Sequence, residues 1–157
     1  MALAFSPESH KRFEETVARY PKKEAAILPV LYLAQQEFGY LGQEAIEYVA
    51  QLMGQSTARV QGVVSFYTML NTKPIGRHHI QVCRTLPCAL RGAEQLTGFI
   101  KKTLGIEVGQ TTDDGRFTLS EVECLASCGT APMMQVNDDY YENLTDEKVT
   151  EILASLK

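Results

Sequence analysis

The chain has 157 residues, 45% of them hydrophobic and 22% charged, with a formal net charge of -4. That composition suits a globular protein with a real core, and no apolar run approaches the roughly 18 residues that a membrane-spanning helix needs. A net negative chain lacks the concentrated positive face that nucleic acid requires, which argues against nucleic acid as a partner.

The opening MALAFSPESHKRFEE places Glu8, Glu14 and Glu15 where an export or transit peptide is basic and acid-poor, so a cytoplasmic location is expected. Ser6-Pro7 predicts a helix cap followed by proline at the first helical position, with Phe13, Val17 and Tyr20 on one face and Pro21 as the end. A second helix is predicted from about Lys22 to Phe38, delayed or kinked by Pro29 and followed by Gly39. The third, Gln43 to Met53, turns Ile46, Val49, Ala50 and Met53 inward and stops at Gly54. Ser56 caps a fourth, carrying Val60, Val63 and Val64. Phe66, Tyr67 and Met69 follow, either as bundle core or as an exposed partner patch. From His78 the apolar period changes to two: Ile80 and Val82 alternate with His79, Gln81 and Cys83, which predicts a strand. A helix is expected over about Ala89 to Leu104 with Leu90 inward, then a turn at Asp113-Asp114-Gly115 and a second strand over Phe117 to Val122. Pro132 opens a third strand, whose alternation buries one of Met133 and Met134 and exposes the other. Asn137-Asp138-Asp139 turns into a fourth strand over Tyr140 to Glu142, and Thr145 caps a last helix facing Val149, Ile152, Leu153 and Leu156 inward.

The first 76 residues carry helical patterning and no cysteine, whereas all four cysteines follow residue 82. Two domains are therefore expected, a helical bundle over 1–76 and a second domain over 77–157. The latter's order of strand, helix, strand, strand, strand, helix matches the thioredoxin core, so the fold class is α+β with a mixed four-stranded sheet.

Cys83 and Cys88 fall at the end of the first strand and the start of the following helix; Cys124 and Cys128 follow the second strand. A strand-helix-strand crossover is parallel, so both strands end at one edge of the sheet and carry the two cysteine pairs there together. A cytoplasmic chain keeps its thiols reduced, which favours metal ligands over structural disulfides. A [2Fe-2S] cluster takes two thiolates at each iron, and two short cysteine loops supply them directly. Zinc also accepts four cysteines but favours tighter loops than either pair here, and thiol-disulfide chemistry lacks its usual Cys-x-x-Cys. His78 and His79 precede the first cysteine rather than interleaving with the pairs, so they read as a surface pair instead of Rieske ligands.

The run Val122-Glu123-Cys124-Leu125-Ala126-Ser127-Cys128-Gly129-Thr130-Ala131-Pro132, with the Cys83 and Cys88 pair, resembles the thioredoxin-like [2Fe-2S] subunits of NADH-quinone oxidoreductase, respiratory complex I; Ala126 stands where that family usually has glycine. Phe38-Gly39-Tyr40-Leu41 and Val60-Gln61-Gly62-Val63-Val64-Ser65-Phe66-Tyr67 also look like family motifs. The resemblance implies that Cys83, Cys88, Cys124 and Cys128 ligate one [2Fe-2S] cluster that exchanges single electrons with FMN on a partner flavoprotein subunit, where NADH is oxidised. It further implies a neighbouring iron-sulfur subunit and a peripheral place on the cytoplasmic face of the inner membrane, without membrane insertion. This chain has no Gly-x-Gly-x-x-Gly after a strand and no Walker loop, so NADH and FMN are expected on the partner and no complete active site here. The alternatives are the equivalent subunit of an NAD-dependent formate dehydrogenase or hydrogenase and, from another class, a structural zinc module.

Overall fold

A computed structural model describes residues 3–156; Met1, Ala2 and Lys157, at the outer ends of the two expected domains, lie outside the described residues. The chain divides between Pro74 and Ile75 into two compact units.

In the first unit, α1 (Pro7–Val17) is capped by the Ser6 hydroxyl, which accepts from the Ser9 N–H at 3.3 Å. It ends at Val17, so the expected helical place of Tyr20 is lost and Tyr20 is exposed. A 3-10 turn, Lys23–Ala26, precedes α2 (Ile27–Phe38). Pro29 thereby falls in the first turn of α2, where a backbone N–H has no intrahelical acceptor and its loss costs nothing. Helices α3 (Gln43–Met53) and α4 (Thr57–Phe66) follow; Ser56 caps α4 by accepting from the Arg59 N–H. Val30, Leu31, Ile46, Val49, Met53, Val60, Val64 and Leu70 make one buried cluster. Phe66 and Met69 lie on the surface, whereas Tyr67 is half-buried against the cluster and Leu70 is buried in it.

The second unit is built on a mixed sheet in the order β2-β1-β3-β4, from β1 (His78–Cys83), β2 (Phe117–Val122), β3 (Met134–Val136) and β4 (Asp139–Tyr141). β1 runs parallel to β2, pairing His78 with Phe117 and Cys83 with Val122, and antiparallel to β3. Between β1 and β2 lie the one-turn α5 (Leu86–Leu90) and α6 (Ala93–Leu104); α7 (Asp146–Ser155) closes the chain, its Thr145 cap accepting from the Lys148 N–H. Ile80, Val82, Leu96, Ile100, Leu119, Met134, Val149 and Leu153 form the core over the sheet.

Three expectations are corrected here. The helix predicted to run unbroken over about 89 to 104 is two helices, because Gly92 takes a left-handed φ of 93° that breaks the ladder. The break turns Leu90 outward, 78% exposed rather than inward. His79 is buried, not a surface residue: β1 is an interior strand of the sheet, and the His79 Nε2 lies 2.8 Å from the Ser120 hydroxyl of β2. Met133 and Met134 are both fully buried, Met134 in the sheet core and Met133 beneath the cysteine loops.

Candidate metal centre

The parallel register of β1 and β2 brings their C-terminal ends level, so each strand releases a cysteine-bearing loop at the same edge. The Arg84 N–H donates to the Val122 carbonyl at 3.0 Å, carrying the pairing one residue past Cys83. The Arg84 guanidinium then bonds the Glu123 carboxylate, with Nε at 3.1 Å, joining the residue after Cys83 to the residue before Cys124. The Cys83 Sγ lies 3.6 Å from the Glu123 carbonyl oxygen, so the first loop's sulfur touches the second loop's backbone.

All four thiols are free. Cys83 and Cys88 are buried with Ala93, Leu125, Ala131 and Met133, whereas Cys124 and Cys128 are exposed. Cys88 owes its place to α5, in which Pro87 occupies the first turn. Cys128 opens a 3-10 turn, Cys128–Thr130, and the Ala131-Pro132 peptide that follows is cis. Burial pushes the Cys83 thiol up, but the Thr85 hydroxyl and N–H, the Leu125 N–H and Cys88 outweigh it and hold it below its ordinary value. Cys88 is pushed up to about 11 by burial and by the hydrogen bond it donates to the Cys83 sulfur, with the charge there and at Cys128 adding to the push. One thiol of the buried pair is thus set to ionise first, with the other donating to it. The Ala126 N–H donates to the Cys124 Sγ at 3.3 Å. Ala126 itself has φ 59°, a left-handed conformation in which alanine is strained.

Among the described residues no group of three or more His, Cys, Asp or Glu side chains is placed to hold a metal ion. A [2Fe-2S] group divides its ligands two and two, and the donor set fits that demand: four unpaired thiols from two loops, with backbone N–H groups aimed at three of the sulfurs. His78 and His79 stay on β1, and His79 points to Ser120 rather than to the thiols. Two contributors escaped the sequence reading, the Arg84–Glu123 bridge and Glu142, whose carboxylate accepts from the Ser127 and Thr130 hydroxyls. Their only sequence signal was a charge adjacent to a cysteine or a turn.

A thioredoxin-like α+β domain with two pairs of reduced cysteines at one sheet edge defines a class of metal-binding redox domains. The sequence profile of the thioredoxin-like [2Fe-2S] ferredoxin family matches residues 13–157, and the chain belongs to that family. It is 48% identical to the NADH-quinone oxidoreductase E subunit of Rickettsia conorii over 99% of this chain and 95% of the relative. It is also 44% identical to NADH-quinone oxidoreductase subunit 2 of Thermus thermophilus over 99% of this chain and 87% of the relative. Among solved structures, a chain of an NAD+-reducing [NiFe]-hydrogenase superposes with a TM-score of 0.73 at 18% identity, over 83% of this chain. This protein spans only 22% of that hydrogenase chain, so the likeness shows the fold alone.

Proposed function

We propose that this chain is the [2Fe-2S] electron-transfer subunit of an NADH-quinone oxidoreductase, with Cys83, Cys88, Cys124 and Cys128 as the ligands of its one cluster. The observation that carries the reading is the pairing of two free-thiol loops at the level ends of β1 and β2, in a chain nearly half identical to the Rickettsia conorii relative over almost its whole length. When bound, the cluster supplies reversible acceptance of one electron. The chain's own residues do the rest. The β1–β2 register and the Arg84–Glu123 bridge keep the loops in reach of each other. Leu125, Ala131 and Met133 wall off water behind Cys83 and Cys88. The Ala126 N–H at Cys124 offsets part of the negative charge, which eases reduction of a group that is already an anion. The exposed rim at Cys124 and Cys128 is where an electron partner approaches.

That partner is a flavoprotein subunit holding FMN and NADH, beside a further iron-sulfur subunit. The chain by itself holds no complete active site for NADH oxidation, and it works as a peripheral part of the assembly on the cytoplasmic face of the membrane. Among the described residues no helix is long and apolar enough to cross a membrane. A second reading, the same module serving another NAD-linked flavoprotein, has behind it a likeness of fold at 18% identity.

Iron and acid-labile sulfide analysis tests the ligand reading, with about two of each expected per chain. Dithionite-reduced protein purified without air then shows the paramagnetic signal of a reduced [2Fe-2S] cluster, and Cys124→Ser makes the cluster labile or absent. Zinc without sulfide, or a Cys124→Ser spectrum identical to wild type, refutes it. Co-purification with an FMN-containing subunit of a quinone reductase, rather than of a hydrogenase or formate dehydrogenase, identifies the host.

A further inference from the structure

The loop that carries Cys124 and Cys128 leaves β2 and crosses to β3, yet its one regular piece is the three-residue turn Cys128–Thr130. Its shape is held mainly from the opposite edge of the sheet. The Asn143 N–H donates to the Thr130 carbonyl at 2.7 Å, and the Leu144 N–H to the Pro132 carbonyl at 3.0 Å. Glu142, one residue past β4, adds the side-chain part. Its Oε1 accepts from the Ser127 hydroxyl and, at 2.6 Å, from the Thr130 hydroxyl, and those two hydroxyls lie 2.8 Å apart. Ser127 immediately precedes Cys128, and Thr130 follows it by two residues. One carboxylate oxygen thus closes a ring across the backbone that presents the Cys128 thiol.

We propose that Glu142 is a positioning residue for the cluster: by holding the Ser127 and Thr130 hydroxyls, it sets the place of the Cys128 sulfur, and its charge bears on the cluster's potential. The proposal rests on the ligand assignment above and adds to it a residue that carries no thiol. Charge-assisted hydrogen bonds to a carboxylate are stronger than neutral ones, so the two protons stay with Glu142 while it is ionised. Partners of this kind orient metal ligands, and their loss typically costs on the order of 10–100-fold in metal affinity. Hydrogen bonds to cluster sulfurs and nearby charge both set the reduction potential. Removing Glu142 leaves the Ser127 and Thr130 hydroxyls to each other and to the Ser127 carbonyl, loosening the Cys128 loop, and deletes a negative charge, which favours the reduced state.

The experiment compares Glu142→Ala, Glu142→Gln and Asp139→Asn with the wild-type holoprotein, reading chelator-driven cluster release and the midpoint potential by spectroscopic titration. Asp139, exposed on the same β4, controls for a general loss of charge. Glu142→Ala is expected to release its cluster about tenfold faster than wild type and to shift the potential upward. Glu142→Gln, which keeps a carbonyl acceptor, retains a release rate within about threefold of wild type but, having lost the charge, still shifts the potential upward. Asp139→Asn moves neither. Release and potential in both Glu142 variants equal to those of Asp139→Asn overturn the proposal. A Glu142→Ala chain that fails to fold leaves Glu142→Gln, whose unshifted potential overturns it equally. A wild-type protein that holds iron and sulfide but keeps them after Cys128→Ser instead refutes the ligand assignment beneath it.

Discussion

Ala126→Gly should stabilise the protein, against the usual direction of alanine-to-glycine changes. Ala126 sits at φ 59° with its side chain exposed, so no packing is lost when the methyl group goes. The left-handed conformation costs an L-residue about 1–2 kcal/mol, and glycine removes that cost. Against it stands the extra freedom glycine gives the unfolded chain, about 0.5–1 kcal/mol. The difference favours glycine by roughly 0.5–1 kcal/mol, about a two- to fivefold gain in the folding constant. The Ala126 N–H that donates to the Cys124 Sγ remains, so the substitution isolates backbone strain from sulfur hydrogen bonding. The assay is denaturant unfolding of the holoprotein followed by far-ultraviolet circular dichroism, where the midpoint rises while the slope stays constant. Gly54→Ala is the mirror control: Gly54 caps α3 at φ 65°, and alanine there costs about 1 kcal/mol. A lowered midpoint for Ala126→Gly, with Gly54→Ala destabilising as stated, refutes the claim that the cysteine loop is strained at Ala126.

His79 is held below its ordinary pKa by burial, so the unfolded chain binds the extra proton more readily. Its stabilising contribution is complete above the unfolded value of about 6.5 and is lost as pH falls below it toward the lower folded pKa. His79→Gln therefore flattens the decline of stability between about pH 7 and pH 5, and unchanged curvature in that range argues against the assignment. The Arg116 guanidinium donates to the Leu153 and Leu156 carbonyls at the end of α7 and stacks 4.8 Å from the Phe117 ring centroid. Arg116→Ala should cost about 1–3 kcal/mol and speed amide exchange in α7 before the rest of the second unit, with uniform exchange as the contrary result.

Much of the secondary structure was legible because it rests on local chemistry. Ser6, Ser56 and Thr145 cap the helices they precede with their own hydroxyls, and the period-two run from Phe117 ends at Val122 in the structure as in the pattern. The level ends of β1 and β2, and with them the meeting of two cysteine loops, follow from chain order and parallel pairing. Burial inside the sheet was less legible. His79 and one of the Met133-Met134 pair read as surface positions on half-exposed strands, but β1 is interior and Met133 lies under the cysteine loops. Leu90 read as inward because the helical period runs smoothly through Gly92, whose left-handed turn resets the phase.

The sequence by itself determined which residues can cap, turn and alternate, and which four carry a thiol, since these properties belong to single side chains and their near neighbours. Tertiary structure alone decided that Glu142, on the far edge of the sheet, reaches back to Ser127 and Thr130, and that Arg84 meets Glu123. Those contacts join residues from separate strands and loops, and only strand order and register bring such distant groups within hydrogen-bond range.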